Sequence, residues 1–366
     1  MRQGYFVRAD AVWPARVLQP PRPPALVYLD LNIFINLAKV ARGTAPDGYA
    51  ELLDECRAAK ADGRAVCPLS ATHAIEIADI GSYQQRSDIT TVMEELSDFK
   101  YLLGRPTIIR LEVDAALDDV IGAELADAEG IPLIGDSVLW GFGMRGGLTI
   151  QGEDAREAEQ RLRYRLGDEK FERMMAHFNQ EAERALLTGP DEDTKAELRR
   201  DGYAPERPYQ QHENRAEQER GQAAILDANP EYRGEKLRDL MNARETLIEF
   251  NAILAAGIYA RNTTLEELFG TGQDVDKARD FNDSMPSTRV AVSLKAHYHR
   301  DGQHQWTSND IHDIDALAVA VPYCDAVFTD KAAWNALKTS RELDVFNTEL
   351  IRRPQQLTQW LRHRPK

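Results

Sequence analysis

The chain is short of cysteine, of long apolar runs and of positive charge, and each shortage closes off a class of protein. Its three cysteines, Cys56, Cys67 and Cys324, stand far apart in 366 residues and include no Cys-x-x-Cys pair. That spacing argues against a disulfide scaffold or a thiolate zinc site and predicts reduced, buried thiols in a cytoplasmic protein. No run approaches the ~18 apolar residues that a membrane span needs, and the N-terminus lacks the apolar core of an export signal. No membrane partner is expected. Sixty acidic residues against 45 basic ones leave a net charge of −15, which argues against a generally basic nucleic-acid coat. Local Lys and Arg can still steer phosphate where cations mask the acids.

What remains is an ordinary soluble composition, 43% apolar and 29% charged, in a chain long enough for two or three domains. Residues 1–25 show no period and end in QPPRPPA, a proline-rich arm. Strand and helix then alternate: a strand at Leu26 to Leu29, a helix with Ile33, Leu37 and Val40 on one face, a helix over 50–60, and a strand at Ala65 to Cys67. Two more helices follow, one opening after Ser70 and one carrying Ile89, Val92, Met93, Leu96 and Phe99, and a third strand is predicted at Thr107 to Leu111. From 112 to 285 the texture is charged and helical, with stripes at Phe171–Met174–Phe178 and Leu247–Phe250–Leu254–Ile258. Residues 189–220 read as a loop or an exposed helix pair. Alternation returns after 286, with a strand at Ala326 to Phe328, a helix from Lys331 to Leu337, a short strand at Asp344 to Phe346 and a last helix ending near Trp360.

The order predicts an α/β fold with a parallel sheet and crossover helices, built from both ends of the chain and interrupted by a mostly helical insertion. Insertions of this size are tolerated because loop-closure cost grows slowly with length. Parallel sheets place ligand sites outside the carboxyl ends of their strands. Acids concentrate at those places: Asp30 after LVYL, Glu76 in SATHAIEI, Asp310, Asp313 and Asp315 in NDIHDID, and Asp330 after AVFT. Carboxylates gathered at one point repel one another, and a divalent cation held by oxygen ligands relieves the cost. Asp310 and Asp313 share a helix face, whereas Asp315 lies roughly 200° round from Asp313. Asp310 can also serve as a cap, so all three stay open as the third acid. No Ser or Cys presents itself with a matched His and acid.

Segments 26–111 and 286–366 together resemble a PIN domain, a small three-layer α/β/α ribonuclease fold with clustered acids and a central parallel sheet. Asp30 in LDLN resembles the family's first-strand Asp, with Asn32 as its Asp-x-Asn partner; Glu76 resembles the helical Glu after a Ser or Thr; Asp313 resembles the third acid, and Thr329-Asp330 the terminal element. The resemblance covers less than half of the chain, and the insertion is far longer than in minimal members. It implies a metal-dependent endonuclease, foremost an endoribonuclease, with Mg²⁺ or Mn²⁺ as cofactor and nucleic acid, RNA first, as partner. Asp30, Glu76, Asp313 and Asp330 would be catalytic, and Asp30, Asp310, Asp313 and Asp330 would hold metal. Asn32, Ser70, Thr72, Thr329 and Lys331 would support the site or meet substrate. The insertion, 112–285, would grip substrate or a protein partner. A DNase or structure-specific nuclease, and a nuclease-like scaffold without activity, are the alternatives.

Other signals compete. His297, His299, His304 and His312 lie close in sequence, and His-x-His on a strand would point two rings one way for a metal; a polar segment before the acidic helix is the plainer reading. His73 reads as a packed core histidine. Gly141-Phe142-Gly143-Met144-Arg145-Gly146-Gly147 nearly spells a dinucleotide loop but lacks the strand before it and the acid after it. It reads as a flexible loop with the substrate cleft as one place to border. Lys295 and Lys331 are single bases available to steer phosphate.

Overall fold

Four short apolar segments pair in parallel into one sheet: β1 (Ala25–Leu29), β2 (Ala65–Val66), β3 (Ala326–Phe328) and β4 (Glu349–Ile351), in the order β2-β1-β3-β4. The structure is a computed structural model that describes residues 10–14, 17–18, 23–123, 130–148, 150, 154–204, 206–270 and 274–366. Most of the N-terminal arm therefore lies outside the described residues. Val27 pairs with Ala326 and Leu29 with Phe328, so the two ends of the chain meet at the centre of the sheet. All five residues of β1 are buried, as expected of a strand covered on both faces. Alternate side chains go to different cores: Val27 and Leu29 join Phe34, Leu52, Met93 and Leu357 on one face, while Leu26 and Tyr28 join Leu294, Ile314 and Leu317 on the other. Helices thus cover both sides of the sheet, and the α/β class is that of the sequence.

Three elements differ from expectation. Thr107 to Leu111 is not a strand but part of a helix over Arg105–Ile121, which crosses the expected boundary at 111/112. Pro106 sits in its first turn, where a missing N–H costs nothing. Ile108, Ile109, Leu111, Val113, Ala116 and Leu117 are all buried, so the helix is apolar around most of its girth and its period is hidden. Asp344 to Phe346 lies in a 3₁₀ turn over Arg341–Phe346, and Asn347, with φ 55°, turns the chain so that the strand forms only at Glu349–Ile351. His297 and His299 sit on a helix, Pro286–Arg300, rather than on a strand. The segment 189–220, read as a loop or helix pair, holds a helix over 192–198 and the start of a second over 206–228. Cys56, Cys67 and Cys324 are all buried and none is in a disulfide among the described residues.

The insertion is keyed into the α/β half by buried charge. Lys295 Nζ lies 2.7 Å from Glu245 and 3.4 Å from Glu219. Glu245 also meets Arg105, whose other nitrogen is 2.6 Å from Asp315. Arg215 bridges Asp315 to Glu249, 3.0 Å away, and His299 and Arg244 close on Glu219 at 2.8 and 3.2 Å. Arg105, Arg215, Arg244 and Lys295 thus face Asp315, Glu219, Glu245 and Glu249, a balanced set in which each charge has a partner. Elsewhere Glu112, fully buried, accepts from the Ser287 N–H and hydroxyl and from Tyr323, tying down the start of the Pro286–Arg300 helix. Among the described residues no helix is long and apolar enough to cross a membrane.

Candidate active site

The order β2-β1-β3-β4 makes the chain leave β1 toward one side and return toward the other, so the crevice between the ends of β1 and β3 is the topological switch point. Asp30 follows β1 and Asp330 follows β3. Each begins a helix: Asp30 Oδ1 accepts from the Leu31 N–H at 2.7 Å, and Asp330 Oδ1 from the Ala333 N–H at 2.8 Å. The Thr329 hydroxyl donates to Asp30 Oδ2 at 3.3 Å, linking the two strand ends directly. Asp30 N–H in turn donates to the Phe328 carbonyl at 3.0 Å.

Glu76 comes from the Ala71–Ala78 helix and Asp313 from the Ser308–Tyr323 helix. The two helices touch where His312 Nδ1 lies 3.7 Å from Glu76 Oε1. Electrostatics put all four carboxyls in one neighbourhood. Burial, then the charges of Glu76 and Asp330, push Asp30 up to about 7 against the Leu31 and Thr329 hydrogen bonds. Burial, followed by Asp30, Asp330 and Glu76, raises Asp313 well above the carboxylate range. Asp313 makes no hydrogen bond or ion pair among the described residues. Tyr298, raised by burial and then by Asp313, Asp310 and Asp330, marks another wall of the same crevice.

The three acids of NDIHDID part company. Asp310 closes a capping box: its Oδ2 accepts from the Thr307 N–H at 2.7 Å and from the Thr307 hydroxyl at 2.9 Å, and its Oδ1 is 3.2 Å from His304. Burial pushes this carboxyl up, but the His304 and Thr307 hydrogen bonds prevail and hold it low. It borders the crevice with its oxygens already engaged. Asp315 turns to the buried ion network, where Arg215, Arg105 and His212 overcome burial and hold it well below the usual range. Asp313 alone faces the other acids with free oxygens.

The remaining candidates divide as well. Asn32, in the first turn after Asp30, has a buried Oδ1 with no hydrogen-bond partner. The Ser70 and Thr72 hydroxyls are 2.7 Å apart, and the Ser70 N–H donates to His73 Nδ1 at 2.9 Å. His73 Nε2–H is then left to donate to the Leu29 carbonyl at 2.9 Å, and burial pushes the ring down to about 4. That makes His73 a neutral core residue stacked on Tyr28. Lys331 is exposed at the start of the helix after Asp330. Lys295 is not near phosphate at all, being buried in the ion network. The clustered histidines diverge: His297 goes to Thr339, His299 to Glu219, His304 to Asp310 and His312 to Glu76. What sequence reasoning missed is His212, whose ring meets His312 at 4.4 Å between centroids. No motif around it signals that contact.

A divalent cation fits the chemistry of this donor set. The donors are all oxygens, which suits Mg²⁺ or Mn²⁺; burial and then the neighbouring carboxyls raise Asp30 and Asp313, and Asn32 Oδ1 has no hydrogen-bond partner. Among the described residues no three His, Cys, Asp or Glu side chains already converge as ready ligands.

No family model matches the chain, and no curated protein or solved structure matches it.

Proposed function

We propose that the chain is a metal-dependent endonuclease of PIN-like fold that hydrolyses RNA phosphodiester bonds in the cytoplasm. One observation carries the reading: carboxyls from four separate elements, drawn from both ends of the chain, gather about the switch point of a parallel sheet, where burial and then the neighbouring acids raise Asp30 and Asp313. Groups perturbed in this way cluster at functional sites, because a fold keeps such repulsion only where it serves something. The preference for RNA over DNA comes from the sequence resemblance.

Asp30, Asp313 and Asp330 would hold Mg²⁺ or Mn²⁺. When bound, such a cation supplies neutralisation of the acids and activation of water for attack on phosphorus. Thr329 steadies Asp30 through its hydrogen bond. Glu76, one wall away, orients the attacking water, and Lys331 stands exposed beside Asp330 to meet a phosphate oxygen.

The reading is tested with a 5′-labelled single-stranded RNA, Mn²⁺ and a pair of variants. The wild type is expected to cut the RNA and to stop when EDTA is added. Asp313→Asn should lower the rate on the order of 10²–10³-fold, the loss usual when one charge-bearing group of a site is removed. Asp315→Asn should instead lower stability by about 3–5 kcal/mol, since it leaves two buried arginines short of a partner, while folded molecules still cut. An Asp313→Asn variant with the full wild-type rate would overturn the assignment.

A further inference from the structure

Next to the acids, on the other side of the Ala71–Ala78 helix start, lies a cavity of about 320 Å³ that the proposed chemistry does not use. Thr72 lines it, and Glu76, one helical turn on along the same face, belongs to the acids. Thr72 and Glu76 are thus about 6 Å apart along the helix axis. His212 also lines the cavity, and its ring packs against His312, which touches Glu76. The cavity and Glu76 thus adjoin through one face of this helix and through the His212–His312 contact.

The lining says what would fit. Ile75, Leu102, Val319 and Phe142 supply apolar walls. The charged groups at its floor, Arg105, Arg215 and Asp315, are spent on one another, which disfavours a phosphate. Other polar groups remain: the Thr72 hydroxyl, the exposed Gln211 amide, and His212 Nδ1, which is buried without a hydrogen-bond partner. Phe142 is 37% exposed and comes from the Gly-Phe-Gly loop that the dinucleotide motif failed to explain. The loop can press this close because Gly104 has no Cβ; one there would run into the Gly141 carbonyl.

We infer that this cavity receives one unstacked base of single-stranded RNA, packed against Phe142 and read along its edge by Gln211 and Thr72. An apolar slot with an aromatic wall and a few neutral hydrogen-bonding groups is how proteins take splayed-out bases. The inference rests on the nuclease reading for its substrate class. It adds that cleavage depends on the base beside the scissile phosphate.

The test is a ligand-observed NMR titration of the wild type with adenosine, guanosine, cytidine and uridine in EDTA, so that neither metal nor catalysis is involved. At least one nucleoside is expected to show saturation transfer to its base protons. Phe142→Ala should weaken that binding by about tenfold, within the range of base–aromatic stacking, and Gln211→Ala should reduce the difference between bases. Both side chains are partly or fully exposed, so neither change threatens the fold. Absence of transfer from all four nucleosides, or equal binding by wild type and Phe142→Ala, overturns the inference. Mn²⁺-dependent hydrolysis of bis(4-nitrophenyl) phosphate, which has no base, is measured on the wild type alongside. Its failure would count against the nuclease reading, while base binding in the cavity is decided by the titration alone.

Discussion

Asp30→Asn is expected to abolish metal-dependent RNA cleavage and, at the same time, to make the protein more stable above neutral pH. The loss of activity follows from removing the central carboxylate, and should be on the order of 10³-fold. The gain in stability follows from the sign of the pKa shift. Asp30 is raised from an ordinary 3.8 to about 7 by burial and by the charges of Glu76 and Asp330. Below about pH 4 the group is protonated whether folded or not, and costs nothing. Between pH 4 and 7 the unfolded chain loses the proton while the folded chain keeps it, so stability falls as pH rises. Above pH 7 the full penalty is present, roughly 2–4 kcal/mol for a shift of this size. Asparagine keeps the shape and removes the charge. Thermal melts at pH 5 and pH 8 should therefore show a wild-type decline that is smaller in the variant, where Asp313 alone of the two raised carboxyls remains. A variant that stays active, or that melts lower than the wild type at pH 8, would be at odds with the site as described.

Lys295→Met should have a large effect on folding from outside the site. Glu245 is fully buried, and Lys295 and Arg105 are its cationic partners. Removing the lysine leaves Glu245 and Glu219 short of positive charge in a medium that does not solvate them, at a cost of about 3–5 kcal/mol. Surface pairs such as Arg57–Glu95 are worth at most about 1 kcal/mol and provide the contrast. Because Lys295 stands on the Pro286–Arg300 helix and its partners on the insertion, the loss should be felt by both halves. Urea unfolding followed by fluorescence and by circular dichroism should stay a single coincident transition, shifted to lower urea. Two separated transitions would mean that the insertion folds independently of the sheet.

The parts of this fold that were legible are the parts whose signal is local. β1 and β3 are continuous apolar runs closed by an acid, and a strand buried on both faces has to look like that. Asp30 and Asp330 could be placed because strand ends and helix starts coincide there. Glu76 and Asp313 could be placed because a helix begins shortly before each. β2, though only two residues long, falls within the strand read at Ala65 to Cys67, whereas β4 forms only after the turn at Asn347 and is too short for a periodic signal. The Arg105–Ile121 helix was hidden by being buried nearly all round. The ion network was illegible for another reason: Lys295, Arg105, Glu219 and Glu245 look like solvated helix residues until the fold pairs them. Asp315 belongs to that network, and only its partners separate it from Asp313 two residues earlier. His212 comes from the insertion, and its contact with His312 spans a hundred residues of sequence with no motif to announce it.

Calorimetric titration of Mn²⁺ into the wild type and into Asp313→Asn, at pH 6 and pH 8.5 in buffers of different ionisation enthalpy, bears on the carboxylate site without relying on any substrate. Metal ligands must be deprotonated to bind, so a cation entering between Asp30 and Asp313 has to expel the protons that burial and the neighbouring acids retain. The wild type should bind Mn²⁺ at both pH values and release about one proton or more at pH 6 and markedly fewer at pH 8.5. Asp313→Asn should bind far more weakly. A wild type that takes up no Mn²⁺, or a variant that binds it equally well without Asp313, would rule out a cation held between these acids.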